Sequence, residues 1–256
     1  DRSSAASDVY KRQYEDYASF RHSFNDVISL RPEQFQLGFL KLLKGSGLRK
    51  NAEKYGIVYS PKAPYEVLYT NELSFKELLI LHGIEEMVER YYNSERFKHT
   101  LEYLYTLFNS PFDFYEALAH YWEANDYDKI PHKKAAYYTL LVPFAKDIEG
   151  VNLDLLKELI RFDWYLHEMV KEVPEELMTL DQAPYREQAN AIIRDDEYMI
   201  EHLGVSANWT SRQRLRRMHM EWFSYNVYKN NAKLEEPSPV LFDYTEQKTH
   251  FRPIKL

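Results

Sequence analysis

Asp163 and His167 stand four residues apart in the stretch Asn152–Met169, so on a helix they lie one turn above each other. Leu156 and Ile160 continue the same row, which puts the pair beside the apolar face. A carboxylate beside an imidazole can fix its tautomer and favour its charged form, which suits acid–base chemistry. The structural alternative, a hydrogen bond at the helix border assisted by Arg161, outweighs it because no nucleophile or metal partner accompanies the pair. The other histidines give no metal motif: no HExxH or HxxxH spacing occurs, and His22, His82, His99, His120, His132, His202 and His250 are scattered.

A second candidate is the run Gln36–Leu43 followed by Lys44-Gly45-Ser46, which could line a ligand site at the C-terminal end of a strand formed by Phe35–Leu40. Read as a buried strand, its alternation sets Gln36, Gly38 and Leu40 on one side and Phe35, Leu37 and Phe39 on the other. In parallel α/β folds the C-terminal ends of strands carry the chemistry, which makes Gln36, Gly38 and Leu40 candidate cofactor-binding residues. Gly38 leaves room for a ligand close to the backbone, and a packing bulge accounts for it equally well. Tyr91, Tyr92, Tyr103, Tyr105, Tyr115, Tyr121, Tyr137 and Tyr138 could stack flat ligands, although core packing is the commoner use of such residues. The run Arg212–Arg217 is the basic exception on a chain of net charge −7, and carboxylate partners or solvent explain it more simply than nucleic acid does.

These residues need elements to hold them. Tyr17, Phe20, Phe24, Val27 and Ile28 recur at helical spacing until Arg31-Pro32. A loop at Lys44–Gly47, a short helix Leu48–Tyr55 stopped by Gly56, and brief strands at Ile57–Tyr59 and Tyr65–Tyr69 follow. From Thr70 onward the chain reads as helical. Ser74 with Glu77 opens a helix running to about Asn93, and Ser110-Pro111 with Asp113 opens another whose stripe is Phe112, Tyr115, Leu118, Ala119 and Trp122. Residues 132–146 form a helix interrupted near Pro143. Asn152–Met169 is the clearest helix, with Leu155, Leu159, Phe162, Leu166 and Met169 as its core face. Pro184–Leu203 is weakly helical. Met218–Tyr228 reads as a strand against which Pro239–Tyr244 and Phe251–Ile254 can pair. The fold class is therefore α+β and predominantly α-helical, with a unit of an α/β sheet at the N-terminus, too little to close a barrel, and a small C-terminal β element.

Composition bounds the chemistry. Among 256 residues there is no cysteine, which excludes disulfides, thiolate zinc sites and cysteine-held iron–sulfur clusters within these residues. Seven glycines and the absence of GxGxxG or GxxxxGK[ST] argue against a phosphate loop. No apolar run reaches the length of a membrane span, so no membrane partner is expected, and the location expected is cytoplasmic.

The run YEDYASFRHSFNDVISLRPEQFQLGFLKLLKGSGLRKNAEKYGIVYSPKAPYEVL, Tyr14 to Leu68, resembles the end of a radical S-adenosylmethionine domain of the type preceded by a cobalamin-binding domain. LSFKELLILHGIEEMVERYYNSERFKHTLEYL, FDFYEALAHYWEANDY and LLKELIRFDWYLH are similar to the helical domain of unknown function that follows the barrel in these proteins. The resemblance implies a parent enzyme with a [4Fe–4S] cluster on a Cys-x-x-x-Cys-x-x-Cys loop, S-adenosylmethionine at its open iron, and cobalamin. It also implies that the partners of this chain are the N-terminal barrel and cobalamin-binding domains of the same protein and an unknown small-molecule substrate. Residues 1–13, DRSSAASDVYKRQ, resemble a translated adapter junction, so a non-native or disordered leader is expected there, on a truncated chain that binds none of these cofactors alone. On the resemblance, residues 14–70 would be the barrel remnant, a partial α/β barrel edge at the N-terminus, and 71–256 the helical domain with short strands near its end. The competing expectation is a non-catalytic helical interaction or regulatory module, and nucleic-acid binding is the least supported.

Overall fold

The Ser74 hydroxyl accepts the Glu77 N–H while the Glu77 carboxylate accepts the Ser74 N–H, a reciprocal cap that starts a helix where its two residues predict one. The computed structural model describes residues 15–202, 209–229 and 232–254. The expected leader Asp1–Gln13, Leu203 and the side chain of His202 lie outside the described residues. In chain order the elements are α1 (Tyr17–Ser29), α2 (Gly47–Lys50), β1 (Val58–Tyr59), β2 (Val67–Tyr69), α3 (Phe75–Met87), α4 (Lys98–Tyr105) and α5 (Pro111–Ala124). They continue as α6 (Lys134–Thr139), α7 (Leu141–Ala145), α8 (Leu153–His167), α9 (Arg186–Arg194), α10 (Ser211–Arg217), β3 (Met218–Tyr225), β4 (Leu234–Asp243) and β5 (His250–Pro253). The protein is mostly helical with small antiparallel sheets, as expected. Among the described residues no helix is long and apolar enough to cross a membrane.

The chain forms two compact units, one drawn from Asp1–Glu95 and Leu104–Lys133, the other from Arg96–Tyr103 and Lys134–Leu256. In the first, α1, α3 and α5 bury an aromatic core. Phe24 meets Phe35, Phe112 and Tyr115 with ring centroids 4.8, 5.3 and 5.8 Å away. Gly83 lets α3 approach α5, since a Cβ there would sit 3.2 Å from the Ala119 methyl. α3 runs on through a π turn, Val88–Tyr92, to Asn93, where the helix was expected to stop. α5 starts on the Ser110 cap with Pro111 in its first turn and buries the whole expected stripe, with Phe114 in addition.

Two expectations in this region are corrected. Phe35–Leu40 is extended and alternates, but it is not a strand: pairing with Tyr65–Val67 begins only at its end, at Leu40–Leu42, and no segment among the described residues runs alongside Phe35–Phe39. The expected helix Leu48–Tyr55 breaks into α2 and a separate 3-10 turn, Glu53–Tyr55, closed by Gly56 in the left-handed conformation. β1 and β2 form at the two brief strands expected there and pair antiparallel.

In the second unit the sheet β3-β4-β5 is covered on both faces. α8 packs Leu155, Leu159, Phe162 and Tyr165 against Phe223, Val240 and Phe242. On the opposite face Ala189 and Ile193 of α9 meet Met218, Met220, Trp222 and Leu241. α8 is buried nearly all round, so its expected single core face was too narrow, and Met169 lies beyond its end, exposed. The 132–146 helix is interrupted near Pro143 as expected: it breaks at Leu140, and Pro143, which has no N–H to offer Thr139, sits in the first turn of α7.

Tyr138 stacks on Trp164 at 4.4 Å and its hydroxyl accepts a bond of 3.3 Å from Arg96. Burial pushes its phenol from 10.0 up to about 12, against the pull of Arg96. A phenol held neutral in the folded state stabilises it fully below pH 10.0, and that stability is lost as pH rises toward about 12 while only the unfolded chain ionises. Tyr138→Phe should therefore lose about 2 kcal/mol less than the wild type across that window, read from urea midpoints at its two ends.

Candidate functional site

In the first unit, the residues expected to face a ligand at the run's edge are placed as follows: Gln36 and Gly38 are exposed and Leu40 is half-buried, while Phe35 and Leu37 point into the core. The ends of the segment are anchored. The Asn93 carboxamide accepts the Phe35 N–H at 2.8 Å and donates to its C=O at 3.0 Å, and Val67 N–H donates to the Leu40 C=O at 2.9 Å. Between these anchors the backbone of Gln36, Leu37 and Gly38 makes no hydrogen bond among the described residues. Close by, Phe39 stacks on His82 at 3.6 Å, and His82 Nε2 lies 2.8 Å from Glu66. Burial works against a charged His82, but Glu85 and Glu66 outweigh it and hold the ring above the usual imidazole range. Arg49 donates to the Leu42 C=O at 3.2 Å and covers the rings of Tyr59 and Tyr65. The segment thus offers a strand edge with a polar flank, able to take a further strand.

The Asp163/His167 pairing is corrected. Both oxygens of Asp163 are taken by the start of α4: one by the His99 N–H (3.2 Å) and His99 Nδ1 (2.7 Å), the other by the Thr100 N–H (2.8 Å) and hydroxyl (2.7 Å). His167 is exposed at the last residue of α8. Asp163 caps a second helix, which is structural work of a kind no local spacing reveals.

The tyrosines do not assemble a platform. Tyr91, Tyr115 and Tyr138 are buried, and Tyr105 and Tyr115 share a hydroxyl–hydroxyl bond of 2.6 Å. The arginine run is mostly exposed, except that Arg214 is wholly buried. Its guanidinium donates to the carbonyls of Ile193 (2.8 Å), Trp209 (2.7 Å) and Arg194 (3.3 Å) and pairs with Asp196, so it closes the C-terminus of α9.

The site the structure adds is a cavity of about 690 Å3 in the second unit, walled by β3, the end of α8, α9 and the connection between them. His219 stands in its wall, stacked on Tyr165 at 4.5 Å, with Nε2 3.0 Å from Glu221 Oε2. The other oxygen of Glu221 receives Arg161 at 3.0 Å, and the same guanidinium lies 3.8 Å from Glu158. Arg161 and Glu158 are fully buried, and Glu221 nearly so. Burial also holds the Tyr165 phenol neutral, well above its usual range, with Glu221 pushing the same way. The arrangement is a half-exposed imidazole oriented by a buried, ion-paired carboxylate, beside apolar walls of Met178, Met218, Met220 and Trp222. Its signal was present in the sequence: strand alternation through Met218–Tyr225 puts His219 and Glu221 on one face, opposite Met218, Met220 and Trp222. Among the described residues no group of His, Asp or Glu side chains is placed to hold a metal ion.

A family model described as a protein of unknown function, DUF4080, matches residues 53–242, well over half of the chain. No curated protein and no solved structure matches it.

Proposed function

The chain belongs to the DUF4080 family of unknown function, and from that premise we propose that it is the C-terminal part of a cytoplasmic radical S-adenosylmethionine enzyme with a cobalamin-binding domain. The likeness of Tyr14–Leu68 to the end of such a domain supports the reading. The observation that carries it is the anchored, extended run Phe35–Leu40, whose Gln36–Gly38 backbone is left without hydrogen bonds. Such an edge is a template for a further strand and suits a barrel strand whose neighbour comes from the preceding domain. On this reading Gln36, Gly38 and Leu40 border the S-adenosylmethionine side of the barrel.

The residues present do not fit an iron–sulfur cluster, since the chain has no cysteine. The cluster, and with it the radical chemistry, belongs to the preceding part of the parent protein, and no step of that chemistry is assigned to residues of this chain.

The test is the unbroken gene upstream of Tyr14, followed by anaerobic iron–sulfide reconstitution of its product. We expect a strand ending in Gly-Leu-Pro just before Tyr14, a cysteine triad well before it, and cluster absorbance that this chain alone does not develop. A start codon near Tyr14 with no such region would overturn the reading in favour of a helical interaction module.

A further inference from the structure

One edge of β3 forms a wall of the cavity in the second unit, and the register says which groups it presents. Tyr244 N–H donates to the Arg217 C=O at 2.8 Å, and Ile254 N–H donates to the Pro239 C=O at 2.9 Å. Arg217 therefore faces β4, and Pro239, opposite Trp222, turns its carbonyl to β5 instead of β3. In an antiparallel pair the N–H and C=O of one residue point the same way and the next residue's point oppositely. Met218, Met220 and Trp222 consequently turn their backbone groups away from β4, toward the open edge.

The protein closes most of that edge itself. The Gln182 carboxamide donates to the Trp222 C=O and accepts the Trp222 N–H, both at 3.0 Å, standing in for a neighbouring strand. Glu158 accepts the N–H groups of Ser224 and Tyr225 at 3.1 and 2.9 Å, and Met218 N–H goes to the Arg214 C=O. Three groups are left over: the Met218 C=O and the N–H and C=O of Met220, which have no partner among the described residues. Both residues line the cavity, and Met220 is only 6% exposed. These groups face the cavity, where the backbone of a ligand can meet them.

We infer that the cavity binds an extended peptide, whose backbone adds to the free edge of β3 at Met218 and Met220. Gln182 is the internal precedent, an amide already paired with this edge one rung along. Recognition of this kind takes affinity from main-chain bonds and specificity from alternate side-chain pockets. Here the two sides differ. A ligand side chain on the Met218 and Met220 side meets Ala189, Ile193 and Leu215, and one on the opposite side meets Tyr165 and His219. The peptide accordingly alternates apolar and hydrogen-bonding residues. The volume of about 690 Å3 is that of sites that hold compact ligands of a few residues.

The probe is a mixture of N-acetyl tetrapeptide amides alternating Leu or Val with Ser, Thr or Gln, added to the chain labelled with 15N-methionine. The six methionines give a short spectrum, in which Met220 is assigned by Met220→Leu and Met87 serves as a reference. We expect the Met220 amide to shift saturably and its hydrogen exchange to slow at least about tenfold. The same peptides N-methylated at their central amides should do neither. Asn190→Trp, at the exposed rim on α9, should abolish the response without unfolding the unit. No movement of Met220 up to about 10 mM peptide, an equal response to the N-methylated peptides, or a response that survives Asn190→Trp would each overturn the inference.

Discussion

Arg161→Met should destabilise the C-terminal unit by about 3–5 kcal/mol, seen as a large fall in the urea midpoint followed by tryptophan fluorescence. The side chain is fully buried, reaches Glu221 at 3.0 Å and Glu158 at 3.8 Å, and lies over the Phe223 ring at 5.2 Å. Methionine fills much of the same volume, so the loss reads the charge and not a void. Without the guanidinium, the fully buried Glu158 and the nearly buried Glu221 at the cavity wall are left with no counter-charge between them. Glu221→Gln in the Arg161→Met background should recover about 1–2 kcal/mol by removing one stranded charge. A deficit below about 1 kcal/mol for Arg161→Met, or no recovery in the double variant, would show that the network does not hold the unit together.

The same network explains how α8 finds its place on the sheet. Glu158 accepts the Ser224 and Tyr225 N–H groups, and Arg161, nearly one turn on, donates to Glu221. A slip of one residue along β3 would set Met220 or Trp222 against the guanidinium and turn His219 off Tyr165.

Much of this was legible in the residues. Ser74 with Glu77, Ser110-Pro111-Asp113 and Asn152 are caps written next to the helices they start, and each starts one. The alternation in Met218–Tyr225 and the runs Pro239–Tyr244 and Phe251–Ile254 gave the C-terminal sheet its strands. What stayed hidden is whatever one segment does for another far along the chain. α4 carries no Ser, Thr, Asp or Asn directly before it, because its cap is Asp163, 63 residues from Thr100. α9 ends on Arg214, and the edge of β3 is paired by Gln182, neither of which local spacing announces. Phe35–Leu40 shows the limit of periodicity: it predicts which side chains turn inward, which holds, and is silent on whether a second strand lies alongside.

Asp163→Ala is the sharpest test of that long-range capping, with an expected loss of about 3–4 kcal/mol. The carboxylate is 1% exposed and accepts four bonds, two of them from the N–H groups of His99 and Thr100 in the first turn of α4. Those N–H groups have no carbonyl to go to within the helix, so truncation leaves buried donors open and removes the anion that complements the helix start. Asp163→Asn keeps one acceptor oxygen but sets an NH2 against groups that themselves donate, and should cost about 2 kcal/mol. His167→Ala, at an exposed position, should change stability by no more than about 0.5 kcal/mol. Amide exchange of His99 and Thr100 should quicken in both Asp163 variants and stay unchanged in His167→Ala. If His167→Ala proved as damaging as Asp163→Ala, the carboxylate's main task would lie within α8, and the assignment of Asp163 to the cap of α4 would fail.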